Sequence, residues 1–157
     1  MQFRMKTHPL PQEKLEALLQ RSPAGALATV NADGTPYAVP VHFVRTGSAV
    51  YVHGLPAGQK LENIRANPHV CLTVWEMIGL LPDAEGRPCE TNTAYESAVL
   101  QGRACLVEDP QEKQHALAAV VAKYMPELTG APIPDNMLRG TAVLRIEPDA
   151  VTGKYWP

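Results

Sequence analysis

Gly25-Ala-Leu-Ala-Thr-Val30, Asn31-Ala-Asp-Gly34 and Tyr37-Ala-Val-Pro-Val-His-Phe-Val44 decide the fold. Two apolar, β-prone runs flank an Asp-Gly turn, a strong signature of an antiparallel hairpin. Pro40 sits awkwardly in the second run because it removes a ladder donor. It implies an edge, a bulge, or a place where a ligand replaces the missing partner. Working outward, Thr46-Gly-Ser48 makes the next turn and Ala49 to His53 a third strand. Hairpins that follow one another this closely favour a small antiparallel barrel over a doubly wound sheet.

The third strand runs into the stretch most suggestive of function, Tyr51-Val-His-Gly-Leu-Pro-Ala-Gly-Gln-Lys60. A strand end breaks into a loop with Gly54, Pro56 and Gly58, then enters a helical pattern through Gln59 and Lys60. Free backbone N–H groups and the positive end of a helix dipole make such a joint an anion site. Gly58 permits close backbone approach and Lys60 adds a full charge. A nucleoside-triphosphate loop is excluded: three residues, not four, separate Gly54 from Gly58, and Leu61 follows the lysine. Taken locally, the stretch also reads as an ordinary strand-to-helix loop with a solvated lysine. His53 likewise reads either as a hydrogen-bonded structural residue or as a contact to a bound anion or substrate. His42 alternates with Val41 and Phe43 and is expected on the opposite face from them.

The remaining chain continues the pattern. Leu10 to Gln20 reads as a helix with Leu15, Leu18 and Leu19 on one face. Gln59 to Asn67 is a helix closed by Pro68, and His69 to Trp75 a strand. Gly79 to Asn92 reads as an irregular excursion, and Tyr95 to Val107 as a long strand with a bulge at Gly102. Asp109-Pro110-Gln-Glu112 matches an N-cap, an N1 proline and a capping-box Glu, opening a helix to about Met125 with Ala116, Leu117, Val120 and Val121 inward. Pro126 to Asp135 reads as a loop, Thr141 to Glu147 as a strand and Val151 to Trp156 as a short last one. The expectation is a mainly β (α+β) fold, six to seven antiparallel strands with about three flanking helices, forming one domain over residues 1–157.

Composition sets bounds. With 157 residues, 45% hydrophobic and 19% charged, the chain has material for one ordinary core. A net charge of -2 without a basic run argues against nucleic acid as a partner. No apolar run reaches the ~18 residues of a membrane-spanning helix, and no secretory signal is evident at the start. Three widely spaced cysteines are no disulfide framework and fit a reducing cytoplasm. Cys71 and Cys105, among apolar neighbours, are expected in the core, while Cys89 lies in a loop. No spacing of His and Cys suggests a metal site. Trp75 reads as core or dimer interface, and Trp156 as packing across a dimer or near a ligand.

In order and spacing these segments resemble the pyridoxamine-phosphate-oxidase-like, FMN-binding split β-barrels, and within them the nitroimidazole-resistance (Nim-type) branch. The resemblance rests on Gly25–Val30 with Asp33-Gly34, Val39-Pro-Val-His-Phe43, Tyr51-x-His53-Gly54, Gly58-x-Lys60, Asn67-Pro68, Tyr95-x-Ser97, Gly102-Arg103 and Thr152-Gly-Lys154. It implies a homodimer with FMN between subunits. Val39, Pro40, Val41 and His42 would lie along the ring system; His53, Gly54, Gly58, Gln59 and Lys60 would lie near the phosphate, and Ser97 would offer a hydroxyl. It further implies an oxidoreductase acting on a small molecule, with no catalytic residue singled out. The absence of a second basic cluster for a second phosphate argues against pyridoxamine phosphate as the substrate. The alternative is a non-catalytic split barrel that binds flavin or haem, for which His53 or His42 would offer an axial ligand.

Overall fold

The computed structural model describes residues 6–157; the first five residues of the expected domain lie outside it. Seven strands form one antiparallel sheet: β1 Gly25–Val30, β2 Pro36–Val41, β3 Phe43–Thr46, β4 Ala49–Gly54, β5 His69–Leu81, β6 Asn92–Leu106 and β7 Ala142–Trp156. Among the elements that lie wholly within the described residues, four α-helices accompany them, α1 Gln12–Arg21, α2 Gln59–Ala66, α3 Pro110–Tyr124 and the short α4 Asp135–Gly140. The spatial order is β2-β1-β5-β6-β7-β4-β3. The two edge strands are therefore consecutive in the chain, joined only by His42. One continuous segment closes the sheet on itself while leaving a seam, which makes the architecture a split barrel.

That closure explains why the expected strand Tyr37–Val44 divides. Val41 pairs with Gly25 on one side of the seam, whereas Phe43 pairs with Val52 on the other. The backbone must switch partners at His42. Pro40 is accommodated because β2 is an edge strand, hydrogen-bonded only to β1.

Three further readings are corrected. The excursion Gly79–Asn92 is shorter than expected. Strand β5 continues past Trp75 to Leu81 and pairs with β6 as far as Leu81↔Asn92, with a bulge between Met77 and Gly79. Glu76 and Gly79 interrupt the apolar alternation, so local pattern ends the strand too early; the partner strand carries it on. The two last strands are one strand, β7, in which Asp149 is the extra residue opposite Gln101 and Gly102. Gly102 lies at this bulge, as expected. A Cβ there would stand 2.0 Å from the Glu147 carbonyl oxygen, so only glycine lets the strands approach. Finally, α4 starts inside the stretch read as a loop.

Two apolar clusters hold the molecule. Leu27, Phe43, Val52, Leu72, Leu100 and Ile146 fill the barrel interior, joined by Leu15, Leu18 and Leu19 of α1. Ala116, Leu117 and Val120 of α3 cover Val44, Tyr51, Val107 and Val143 outside it; Val121 is only partly buried. All three cysteines are free thiols, but Cys105 is exposed and Cys71 half-buried, because their positions alternate with the core-facing ones. No helix among the described residues is long and apolar enough to cross a membrane.

Candidate functional site: a strand-to-helix joint beside the barrel seam

At the seam the end of β4 turns through residues 55–58 into α2. Gly58 is the N-cap of α2, at φ 130, and no side chain caps the helix. Its carbonyl accepts the amides of Leu61 and Glu62 at 3.0 and 3.2 Å. The first-turn amides are therefore left without a side-chain cap; the one carboxylate in that turn, Glu62, makes no capping hydrogen bond. A Cβ added at Gly58 would meet nothing within 4 Å, so the space in front of the backbone is open. The Lys60 side chain folds back over Gly54: a Cβ there would come within 3.1 Å of Nζ. Gly54 is thus the floor that lets the ammonium sit close to the main chain.

A hollow of about 250 Å³ opens at this joint. Tyr37, Val39 and Pro40 of β2 form one wall. Leu55, Ala57, Gly58, Gln59 and Lys60 form the other. The structure therefore unites Val39, Pro40, Gly58, Gln59 and Lys60, which are far apart in sequence. A second hollow of about 400 Å³ lies on the other flank of β2, sharing Val39 and Pro40 and reaching Trp75.

The helix is held in place by a buried side chain that sequence reasoning missed. Asn63 donates from Nδ2 to Thr29 Oγ1 at 2.9 Å and to Asn31 Oδ1 at 2.8 Å. Its Oδ1 accepts from Gln59 Nε2 at 2.9 Å. Asn63 is 3% exposed, so these bonds fix the rotation of α2 on β1. The available signal was an amide on the inward face of a short helix, four residues after Gln59.

The crossover at His42 is fixed from the other side by α3. Tyr124 Oη accepts from the Phe43 amide at 2.9 Å and donates to the Phe43 carbonyl at 2.8 Å. Lys123 Nζ donates to the carbonyls of Phe43 and Leu19 at 3.0 and 2.9 Å and lies 3.8 Å from the Phe43 ring centroid. Burial pushes the Lys123 ammonium down to about 8, although the two carbonyls and the ring face favour its charged form.

His42 is exposed between buried Val41 and Phe43, as its alternation requires, and stacks on Tyr124 with centroids 4.6 Å apart. His53 lies 6.3 Å from it, centroid to centroid, and borders a further hollow with Gly54, Leu55 and Met137. Burial, then the nearby His42 and Lys60, lower the His53 pKa, so the ring is neutral at neutral pH. Its Nδ1 is buried without a hydrogen-bond partner. The side chain of Val41 points into the core, leaving only its backbone for a ligand. Ser97 is not brought to this joint. It lies on the outer face of β6 opposite Trp75, and its hydroxyl donates to the Lys154 carbonyl at 3.4 Å. Trp75 is 58% exposed and so is not core, while Trp156 packs against His8 within its own chain, centroids 4.7 Å apart.

A phosphate monoester suits the α2 joint: it would meet an uncapped helix start, one ammonium and an unobstructed glycine backbone. Solved structures share the fold. A candidate 5-nitroimidazole antibiotic resistance protein from Bacteroides thetaiotaomicron matches at TM-score 0.79 and 27% identity, covering 92% of this chain and 84% of that one. The flavocytochrome Anf3 from Azotobacter vinelandii matches at 0.81 and 27%, covering 94% and 68%. An F420 reductase matches at 0.58 and 26%, covering 87% and 94%. No curated protein sequence matches. The sequence model of pyridoxamine 5'-phosphate oxidase, however, matches residues 11–155, from the start of α1 to the end of β7. With the barrel, its seam and nearly the whole chain accounted for in this way, the protein belongs to the pyridoxamine 5'-phosphate oxidase family.

Proposed function

We propose that this chain is an FMN-binding flavoprotein and an oxidoreductase that acts on a small molecule as a homodimer. The observation that carries the reading is the start of α2: it lacks a side-chain cap and is paired with an ammonium folded over Gly54. Such a joint is stabilised by a dianionic group, and FMN offers one where riboflavin does not. Flavin in the solved relatives is consistent with this choice, since one is a flavocytochrome at 27% identity.

Bound flavin would supply hydride or electron transfer at its ring N5. The chain's own residues do the rest. Gly58, Gln59 and Lys60 would hold the phosphate. Val39 and Pro40, on the unpaired outer edge of β2, would set the position of the ring. Asn63 and Tyr124 keep the two walls in register. His53, lowered in pKa by burial and by His42 and Lys60, would border the cleft as an uncharged ring.

The dimer is supported by the ribbon beyond Trp75. Met77, Ile78, Leu80 and Leu81 are all exposed, so both faces of that ribbon are apolar. A surface of this kind is costly in water unless another copy covers it. Light scattering should give twice the chain mass; a monomer at micromolar concentration would refute the dimer.

The haem alternative has one observation in its favour. His53 lines a largely apolar hollow of about 380 Å³ that is also lined by Met137. The visible spectrum of the purified protein separates the readings. Flavin bands, or their appearance with saturable quenching when FMN is titrated in, support the first. A Soret band that is lost in His53→Ala supports the second. A colourless protein indifferent to both cofactors refutes both.

A further inference from the structure

We infer that Asp33 and Thr35, in the β1–β2 turn, set which atom the Gln59 side chain presents to the hollow at the α2 joint, and that the joint thereby selects a phosphate ester with a hydroxyl group close to the phosphate. The choice of ligand rests on the flavin reading, whereas the orientation of Gln59 follows from the chain's own hydrogen bonds. Neither turn residue lines the hollow. They reach it through side chains alone. Gln59 Nε2 donates to Asn63 Oδ1 at 2.9 Å, and Asn63 Nδ2 to Asn31 Oδ1 at 2.8 Å. Asn31 Nδ2 donates to Thr35 Oγ1 at 3.0 Å, and Thr35 Oγ1 to Asp33 Oδ1 at 2.6 Å.

A carboxylate fixes the direction of this relay. The hydroxyl of Thr35, then its backbone amide, hold the Asp33 carboxyl below its usual range, so at neutral pH it can only accept. Thr35 gives its one hydroxyl hydrogen to Asp33, and its oxygen must therefore accept from Asn31. Asn31 must turn Nδ2 towards Thr35, which leaves its Oδ1 for Asn63. Asn63 must then offer Nδ2. A second acceptor agrees. Thr29 Oγ1 takes a hydrogen from Asn63 Nδ2 at 2.9 Å and itself donates to the Tyr37 carbonyl at 3.4 Å. Both amide hydrogens of Asn63 are spent, so its Oδ1 is what faces Gln59 Nε2. Reversing any one amide would set acceptor against acceptor or donor against donor. The cost is high at Asn63 and Thr29, which are both buried.

The outcome at the hollow is a carbonyl. With Nε2 tied back to Asn63, Gln59 presents Oε1, to which no group among the described residues donates. The other polar side chains of the hollow are the Lys60 ammonium and the Tyr37 hydroxyl. A phosphate dianion has no hydrogen to give to a carbonyl oxygen, so Gln59 Oε1 repels it; a hydroxyl has one. Recognition is thus divided within one joint. The backbone at the start of α2 and Lys60 take the charge, and Gln59 Oε1 takes the hydroxyl beside it. The ribityl chain of FMN carries hydroxyls next to its phosphate and meets both requirements.

The test compares FMN with an analogue whose ribityl hydroxyls are replaced by hydrogen, leaving a phosphopentyl chain. Each is titrated calorimetrically into the full chain. We expect FMN to bind more tightly, and Gln59→Ala to reduce that preference by about threefold or more, in keeping with one hydrogen bond. Thr35→Val should reduce it as much, although Thr35 lies outside the hollow, while Thr35→Ser, which keeps the hydroxyl, should preserve it. In the Gln59→Ala background Thr35→Val should change nothing further. A preference untouched by Gln59→Ala or by Thr35→Val, or a further loss in the double variant, would overturn the inference. The turn is closed by the backbone itself, Asn31 amide to Thr35 carbonyl and Gly34 amide to Asn31 carbonyl, both at 2.9 Å. Thr35→Val should therefore fold, which circular dichroism checks. If neither ligand binds, the flavin reading fails. Nitrogen–proton spectra of the ligand-free chain then still decide the relay: the Gln59 Nε2 resonance should move in Thr35→Val and stay in Thr35→Ser. An unmoved resonance in Thr35→Val would overturn it.

Discussion

Two helices in this barrel begin in opposite ways. Helix α3 starts at Asp109, whose carboxylate accepts the amides of Gln111 and Glu112 at 3.3 and 3.1 Å, with Pro110 filling the first position. It supplies its own anion. Helix α2 starts at Gly58 with no capping side chain and a lysine nearby. One start is closed by the chain itself, and the other is left open beside a hollow. The difference teaches where to look for a ligand: an uncapped helix start that gathers positive charge is complete only when something negative arrives.

Variants of each joint should separate stability from binding. Lys60→Ala has the largest expected effect. Loss of one charge-assisted phosphate contact costs ~1.5–3 kcal/mol, or about 10- to 100-fold in FMN affinity, with little change in unfolding midpoint. Unchanged affinity by titration calorimetry would break the contrast between the joints. Asp109→Ala should do the converse, costing ~1 kcal/mol of stability in urea unfolding while leaving FMN affinity intact. Gly54→Ala is milder. Its methyl would press on the tip of a flexible lysine, so FMN affinity should fall by less than in Lys60→Ala; a larger loss would mean that Gly54 itself touches the ligand.

The C-terminal end of α3 gives the smallest effect. Burial pushes the Lys123 ammonium down to about 8, from the ordinary lysine value of 10.5 that it has in the unfolded chain. Between these values the unfolded chain binds more protons than the native one, so stability rises with pH. Below pH 8 the full cost of burying the charge is present. Tyr51 and Tyr124, whose pKa values are raised by burial, act oppositely above about pH 10. In denaturant titrations from pH 8 to about 9.5, Lys123→Met should remove the wild-type rise; a variant with the same slope would contradict the assignment.

Much of this was legible in the sequence. The Asp33-Gly34 hairpin, the bulge at Gly102 and the buried faces of α1 and α3 follow from local pattern. Asp109 caps as expected, but only half of the capping box forms. Instead of reaching back, Glu112 accepts from Tyr51 Oη at 3.0 Å and from Arg145 Nη1 at 3.2 Å. That choice is tertiary and no local rule contains it. The same holds for His42, where the chain changes sheet edge, and for residues 76–81, which are strand because β6 is beside them. Of the site, the strand-to-helix joint at Gly58, Gln59 and Lys60 was visible in the residue types, which fit an ordinary loop as well as an anion site; the resemblance favoured the second reading. Its opposite wall, with Tyr37, and its anchor, Asn63, depend on which strands meet at the seam. Ser97 matched a motif by spacing, yet its strand lies elsewhere on the barrel.

The central claim is that the open start of α2 holds the phosphate of a flavin. Parallel titration of FMN and riboflavin into the purified chain tests it most directly, because the two ligands share a ring and differ only in that group. The account predicts FMN binding at least tenfold tighter, with the advantage lost in Lys60→Ala; equal affinity for the two ligands would contradict it.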